Sequence, residues 1–131
     1  MIPTGSGELR RNNVKWIFHV AAVLGQPREG YRPIERIERC VTNSFRRAAS
    51  DEFRDDPPAS FLFPIFGTGP GGGDLKDHAE RCIGAAVECL EARLGGSIRK
   101  AYFYVWTETG WEICQSVIAR HGGMQGPHDV H

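Results

Sequence analysis

The sequence has no excess of either charge: 16 Lys and Arg balance 16 Asp and Glu. Net charge therefore gives no long-range pull toward nucleic acid or an anionic membrane, although a local basic patch stays compatible with it. No apolar run approaches the roughly 20 residues of a membrane span. The opening Met1-Ile-Pro-Thr-Gly-Ser-Gly lacks the charged-then-apolar build of a secretory signal. There is no Cys-x-x-Cys pair either. Cys40, Cys82, Cys89 and Cys114 fall in helical patterns, on or near the apolar faces, which favours reduced core thiols over disulfides or zinc. The expectation is a cytoplasmic protein without a metal or resident cofactor, partnered by neither membrane nor specific nucleic acid.

What is present fits one α/β domain. A chain of 131 residues buries roughly two-thirds of its unfolded surface. Its 40% apolar and 24% charged residues are the balance of an ordinary globular protein. The domain is expected over residues 1–123, with 124–131 as a disordered tail.

Three strand-then-helix units are legible. Val14 to Leu24 is a nearly continuous apolar run, as in a parallel strand covered on both faces. From about Tyr31 to Phe53, Ile34, Ile37, Val41, Phe45 and Ala48 recur at helical spacing, with Pro33 suited to the first turn. Asp55-Asp-Pro-Pro58 ends that helix. Phe61 to Phe66 is the second strand. A helix over Asp74 to Leu94 follows, with Asp74 as N-cap and Gly95-Gly96 as stop. Ala101 to Trp106 is the third strand, and Thr107-Glu-Thr-Gly110 leads from it into a final helix. The fold class expected is three-layer α/β/α with a mainly parallel sheet and right-handed crossovers. Ligands of such folds sit outside the carboxyl ends of the strands, where three loops (25–30, 67–73 and 107–110) converge.

The most informative segment is Gly67-Thr-Gly-Pro-Gly-Gly-Gly73, between an apolar strand and a helix. Glycines let the backbone approach a ligand, and the N–H groups and dipole of the following helix favour an anion there. Phosphate or pyrophosphate is the natural guest, and a merely flexible turn is the plain alternative. Pro70 removes one donor while stiffening the loop, and a carboxylate at Asp74 competes with a bound phosphate. Gly67-Thr-Gly-Pro-Gly-Gly72 matches Gly-x-Gly-x-x-Gly literally. A dinucleotide fingerprint, however, belongs to a first βα unit and expects an acidic residue about 20 residues on; the next strand ends much later, near Trp106. A Walker A loop is excluded, because no Lys-Ser or Lys-Thr follows the glycines.

Thr4-Gly-Ser-Gly-Glu-Leu9, Trp16-Ile-Phe-His-Val20, Phe63-Pro-Ile-Phe-Gly-Thr-Gly69 and Tyr102-Phe-Tyr-Val-Trp106, in that order, resemble the macro domain, the ADP-ribose-binding family. The resemblance covers most of Thr4 to Arg120. It implies binding of ADP-ribose, a related pyrophosphate nucleotide or an ADP-ribosylated protein. Gly67, Thr68, Gly69, Pro70, Gly71, Gly72 and Gly73 would hold the phosphates, and Trp106 and Thr107 would line the adenosine end. The family's opening strands, its adenine-reading Asp and its Asn- and Gly-rich loop have no counterpart. That loop carries catalytic residues in hydrolytic members, so no catalytic residue is assigned. A strand that family precedent puts between those of Trp16–Val20 and Phe61–Phe66 is also without counterpart. Either the two strands pair directly, or a second copy or a partner chain completes the sheet. The alternative function is thus a degenerate macro fold acting as a protein–protein or assembly module.

Other residues read more plainly. His19 is expected as a hydrogen-bonded core histidine and His78 as a surface residue, although His78 is the histidine best positioned for chemistry. Trp106 is either an exposed stacking surface or buried under the last helix. Glu108 reads as a solvated loop carboxylate, and Arg36, Arg39, Arg46 and Arg47 as a solvated helix face.

Overall fold

The computed structural model describes residues 1–20, 23–26, 30–33, 35–67 and 74–121, with the backbone alone at Ile2, 23–26 and 30–33. The amino-terminal part departs from the expected βα unit. β1 (Ile2–Gly5) pairs antiparallel with β2 (Trp16–His19), and β3 (Val23–Gln26) pairs antiparallel with β4 (Gly30–Pro33). The apolar run from Val14 is therefore two short strands in two different ladders, not one parallel strand. Trp16, Ile17 and Phe18 are half-buried and His19 is exposed, its Nε2 3.0 Å from Thr4 Oγ1. His19 is not a core residue.

Tyr31–Pro33 belongs to β4, so Pro33 does not open a helix. α1 (Glu38–Ala48) begins later, and its apolar stripe buries Cys40, Val41, Phe45 and Ala48. A 3₁₀ turn at Asp51–Phe53 then drives Phe53 inward. β5 (Ser60–Pro64) and β6 (Lys100–Tyr104) form the parallel pair, in a register that sets Leu62 beside Tyr102 and Pro64 beside Tyr104. The connection between them is α2 (Leu75–Glu91), as a parallel crossover requires. α2 stops at Ala92, and Arg93 (φ 54°) takes the left-handed position ahead of the glycines expected to end it. α3 is Glu108–Arg120.

The chain is thus mixed α/β, with small sheets of which one is parallel. The core lies between α1, α2 and the inner face of β5–β6, where Phe63, Phe45, Cys82, Ala86 and Ile98 pack together. A second cluster, around Ala79, Ile83, Val87, Cys114 and Val117, holds α3 against α2. Ring contacts run from Trp16 through Phe53 and Phe18 to Phe61, tying β2 to the parallel pair by side chains. All four cysteines are buried free thiols. Among the described residues no helix is long and apolar enough to cross a membrane. The expected tail at 124–131 lies outside the described residues.

Candidate functional site

Since β5 and β6 are parallel, their carboxyl ends open on the same side. A constant offset of 40 residues joins their paired positions, so Gly67 and Thr107 leave the sheet at equivalent places. Gly67 and Thr107, the first residues of the expected loops at 67–73 and 107–110, therefore share one end of the fold. Thr68, Gly69, Pro70, Gly71, Gly72 and Gly73 lie outside the described residues, as do 27–29 of the first loop at 25–30. Gly67, Trp106 and Thr107 are described.

Gly67 has a φ of 79°, in the left-handed region that favours glycine. A Cβ there would stand 2.7 Å from His78 Cε1, 2.8 Å from His78 Nδ1 and 3.0 Å from Ile37 Cδ1. The imidazole of His78 thus packs where any other residue would place its side chain. His78 is buried, not the surface residue expected, and its Nδ1 lies 2.8 Å from the Phe66 carbonyl oxygen. With a carbonyl as partner, Nδ1 must carry the proton and donate it. One turn further along α2, the Cys82 thiol meets the Phe66 backbone; burial pushes its pKa up to about 12, against the lowering effect of that backbone contact. Such a thiol is no nucleophile near neutral pH.

The start of α2 is already capped. Asp74 Oδ1 accepts from Lys76 N at 2.9 Å and from Asp77 N at 3.4 Å. Two of the amides expected to face an anion are therefore bonded to a carboxylate.

At the other strand end, Trp106 is 83% exposed and meets Tyr104 edge-on, with ring centroids 5.7 Å apart. It does not lie under α3. Thr107 is the N-cap of α3, its Oγ1 accepting from Gly110 N at 3.0 Å. The Thr107–Gly110 stretch is mostly the first helical turn, and Glu108 belongs to it.

Sequence reasoning missed Asp56. Its carboxylate meets Arg10 and Lys15, each at 3.1 Å, and its carbonyl accepts from Trp16 Nε1 at 3.1 Å. Hydrogen bonds from Lys15 and then Arg10 hold the Asp56 carboxyl below its ordinary range. This cluster ties the β1–β2 ladder to the loop before β5. Nothing local announces it, because its partners lie some forty residues away.

No known family's sequence profile matches this chain, and no curated protein does. The likeness to macro domains rests on the residue pattern alone.

Proposed function

We propose that the chain is a macro-domain-like module of the three-layer kind, which binds ADP-ribose or a related pyrophosphate nucleotide. The backbone amides of 67–73 take the pyrophosphate, and the exposed indole of Trp106 stacks on the adenine. One observation carries the reading: Gly67, where the glycine segment departs after β5, and an exposed Trp just past β6 sit at the same carboxyl end of a parallel pair. Base-on-indole stacking is worth about 1–3 kcal/mol, enough to orient a nucleotide whose phosphates are held by main chain. Thr107 contributes through its backbone position, since its hydroxyl caps α3.

Isothermal titration with ADP-ribose tests this, with adenosine and inorganic pyrophosphate as separate arms. Heat with ADP-ribose, together with quenching of tryptophan emission that Trp106→Ala abolishes, is the expected result. Absence of heat at millimolar ADP-ribose removes the proposal.

A second reading has its own observation. Among the described residues the ladders are β1–β2, β3–β4 and β5–β6, and none joins β2 to β5, although Phe18 and Phe61 touch with centroids 5.4 Å apart. Strand edges left this way invite a further strand from another copy or a partner chain. Under that reading the chain is an assembly module. A backbone-pairing peptide would bind without nucleotide, and protection of β5 amides from hydrogen exchange would reveal it.

A further inference from the structure

The β5–β6 pair has two faces of opposite character. Phe61, Phe63, Ala101 and Phe103 point into the core, while Leu62, Tyr102 and Tyr104 point away from it, 68%, 39% and 52% exposed, with Trp106 beyond them. Parallel strands are ordinarily covered on both faces, and an apolar patch of this size on a protein surface is often functional. We propose that this outer face is a homodimer interface, covered by the same face of a second copy.

Three observations favour a second copy over another occupant. The first is area. A buried aromatic covers about 150–250 Å², so the exposed fractions of Leu62, Tyr102, Tyr104 and Trp106 give about 500 Å² per copy. A pair then buries about 1,000 Å² from these four residues alone, the threshold for a specific interface. The second is self-complementarity. A two-fold axis lying in the face, perpendicular to the strands, lays each strand antiparallel over its own mate. Tyr102 then meets the partner's Tyr102 and Leu62 the partner's Leu62 near the axis. The third is charge. Lys100 and Tyr104 stand two positions either side of Tyr102 on β6, so the same operation brings each ammonium over the partner's Tyr104 ring, a cation–π pair. The face has no acidic residue among Ser60, Leu62, Pro64, Lys100, Tyr102 and Tyr104, and its single cation is too little for a nucleic acid.

The interface draws on the same Trp106 indole that the nucleotide reading gives to adenine, so the two compete for it, and the test of the interface contains no nucleotide. Sedimentation velocity of the full chain, from micromolar to millimolar concentration, should show reversible growth from 14.6 kDa to twice that mass. Leu62→Lys with Tyr102→Lys puts like charges on the axis and should weaken association about a hundredfold or more. Its thermal transition, compared with that of the parent, shows whether the variant folds. Tyr102→Cys should be joined to its mate by a short bis-maleimide and Ser60→Cys should not, because Ser60 lies two positions from the axis; the native cysteines are buried and stay silent. A parent that remains 14.6 kDa at millimolar concentration overturns the proposal. So does a dimer that survives the double substitution, or equal crosslinking at the two cysteine positions.

Discussion

Gly67→Ala isolates the point on which the βα junction turns. At φ 79° an L-residue is strained by about 1–2 kcal/mol. The new methyl would also fall 2.7 Å from His78 Cε1 and 3.0 Å from Ile37 Cδ1, and neither neighbour is free to retreat. Ile37 is 1% exposed. His78 moves only by giving up its bond to the Phe66 carbonyl, a loss of about 1 kcal/mol. Replacing Gly also stiffens the unfolded chain, which offsets about 0.4–1 kcal/mol. The net is a destabilisation of about 1–2.5 kcal/mol, equivalent at this chain length to a fall in Tm of about 3–12 °C. Scanning calorimetry reads it directly. Gly5→Ala is the control, since nothing lies within 4 Å of its Cβ position, and its Tm should hold or rise slightly. Adding His78→Ala to Gly67→Ala makes room for the methyl, so the two losses should sum to less than their separate values. A Gly67→Ala protein melting within about 2 °C of the parent, below the shift expected from 1 kcal/mol, would refute the packing argument.

The remaining tests address chemistry and charge. The Cys82 thiol should resist iodoacetamide in the native protein at pH 8.5 and react once urea unfolds the chain. Since its folded pKa of about 12 exceeds the unfolded 9.0, stability should be full below pH 9 and fall as pH rises from there toward 12, read from urea midpoints. Asp56→Asn should lower Tm more in low salt than in molar salt. Because the Asp56 carboxyl is held low, its contribution is present above the ordinary carboxylate pKa and lost as pH falls through the depressed value. That loss should be missing from the variant's acid-unfolding curve. Asp74→Asn keeps a capping side chain but removes the charge that competes with phosphate. ADP-ribose should then bind about two- to fivefold more tightly, and an unchanged affinity would place the anion away from the start of α2.

The sequence disclosed the second half of the fold better than the first. α2 shows its stripe over five turns and its cap at Asp74, while β5 and β6 are apolar runs between plain breakers, so each falls within three residues of expectation. Val14–Leu24 misled because a continuous apolar run is equally consistent with one buried strand or two half-covered ones. The strand that decides the matter, Ile2–Gly5, is four residues of Ile, Pro, Thr and Gly with no readable pattern. Thr107 was legible as a strand end but not as a cap, because the glycine three residues later suggested a loop. It is there for closeness instead: a Cβ at Gly110 would come within 2.9 Å of the Thr107 hydroxyl. The burial of His78 depends on a side chain missing at Gly67, a relation between positions that no local window contains.

One pattern was in plain view, and its meaning needed coordinates. Asp74, His78 and Cys82 are spaced four apart, which puts them on one stripe of α2. In the structure all three serve the βα junction. His78 and Cys82 grip Phe66, the residue from which the glycine segment departs, and Asp74 caps the helix into which it returns. Both ends of the 67–73 segment are therefore fixed by a single rigid helix, which is itself anchored in the core through Ala79, Ile83 and Ala86. A ligand bound between those ends would not have to bring them together, and that lowers the entropic penalty of binding. The same arrangement predicts where affinity is sensitive. His78→Ala, which touches no ligand, should weaken ADP-ribose binding by freeing the Phe66 end of the segment. A truncation on the face of α2 toward α3, such as Val87→Ala, should lower stability while leaving the affinity of the folded protein alone.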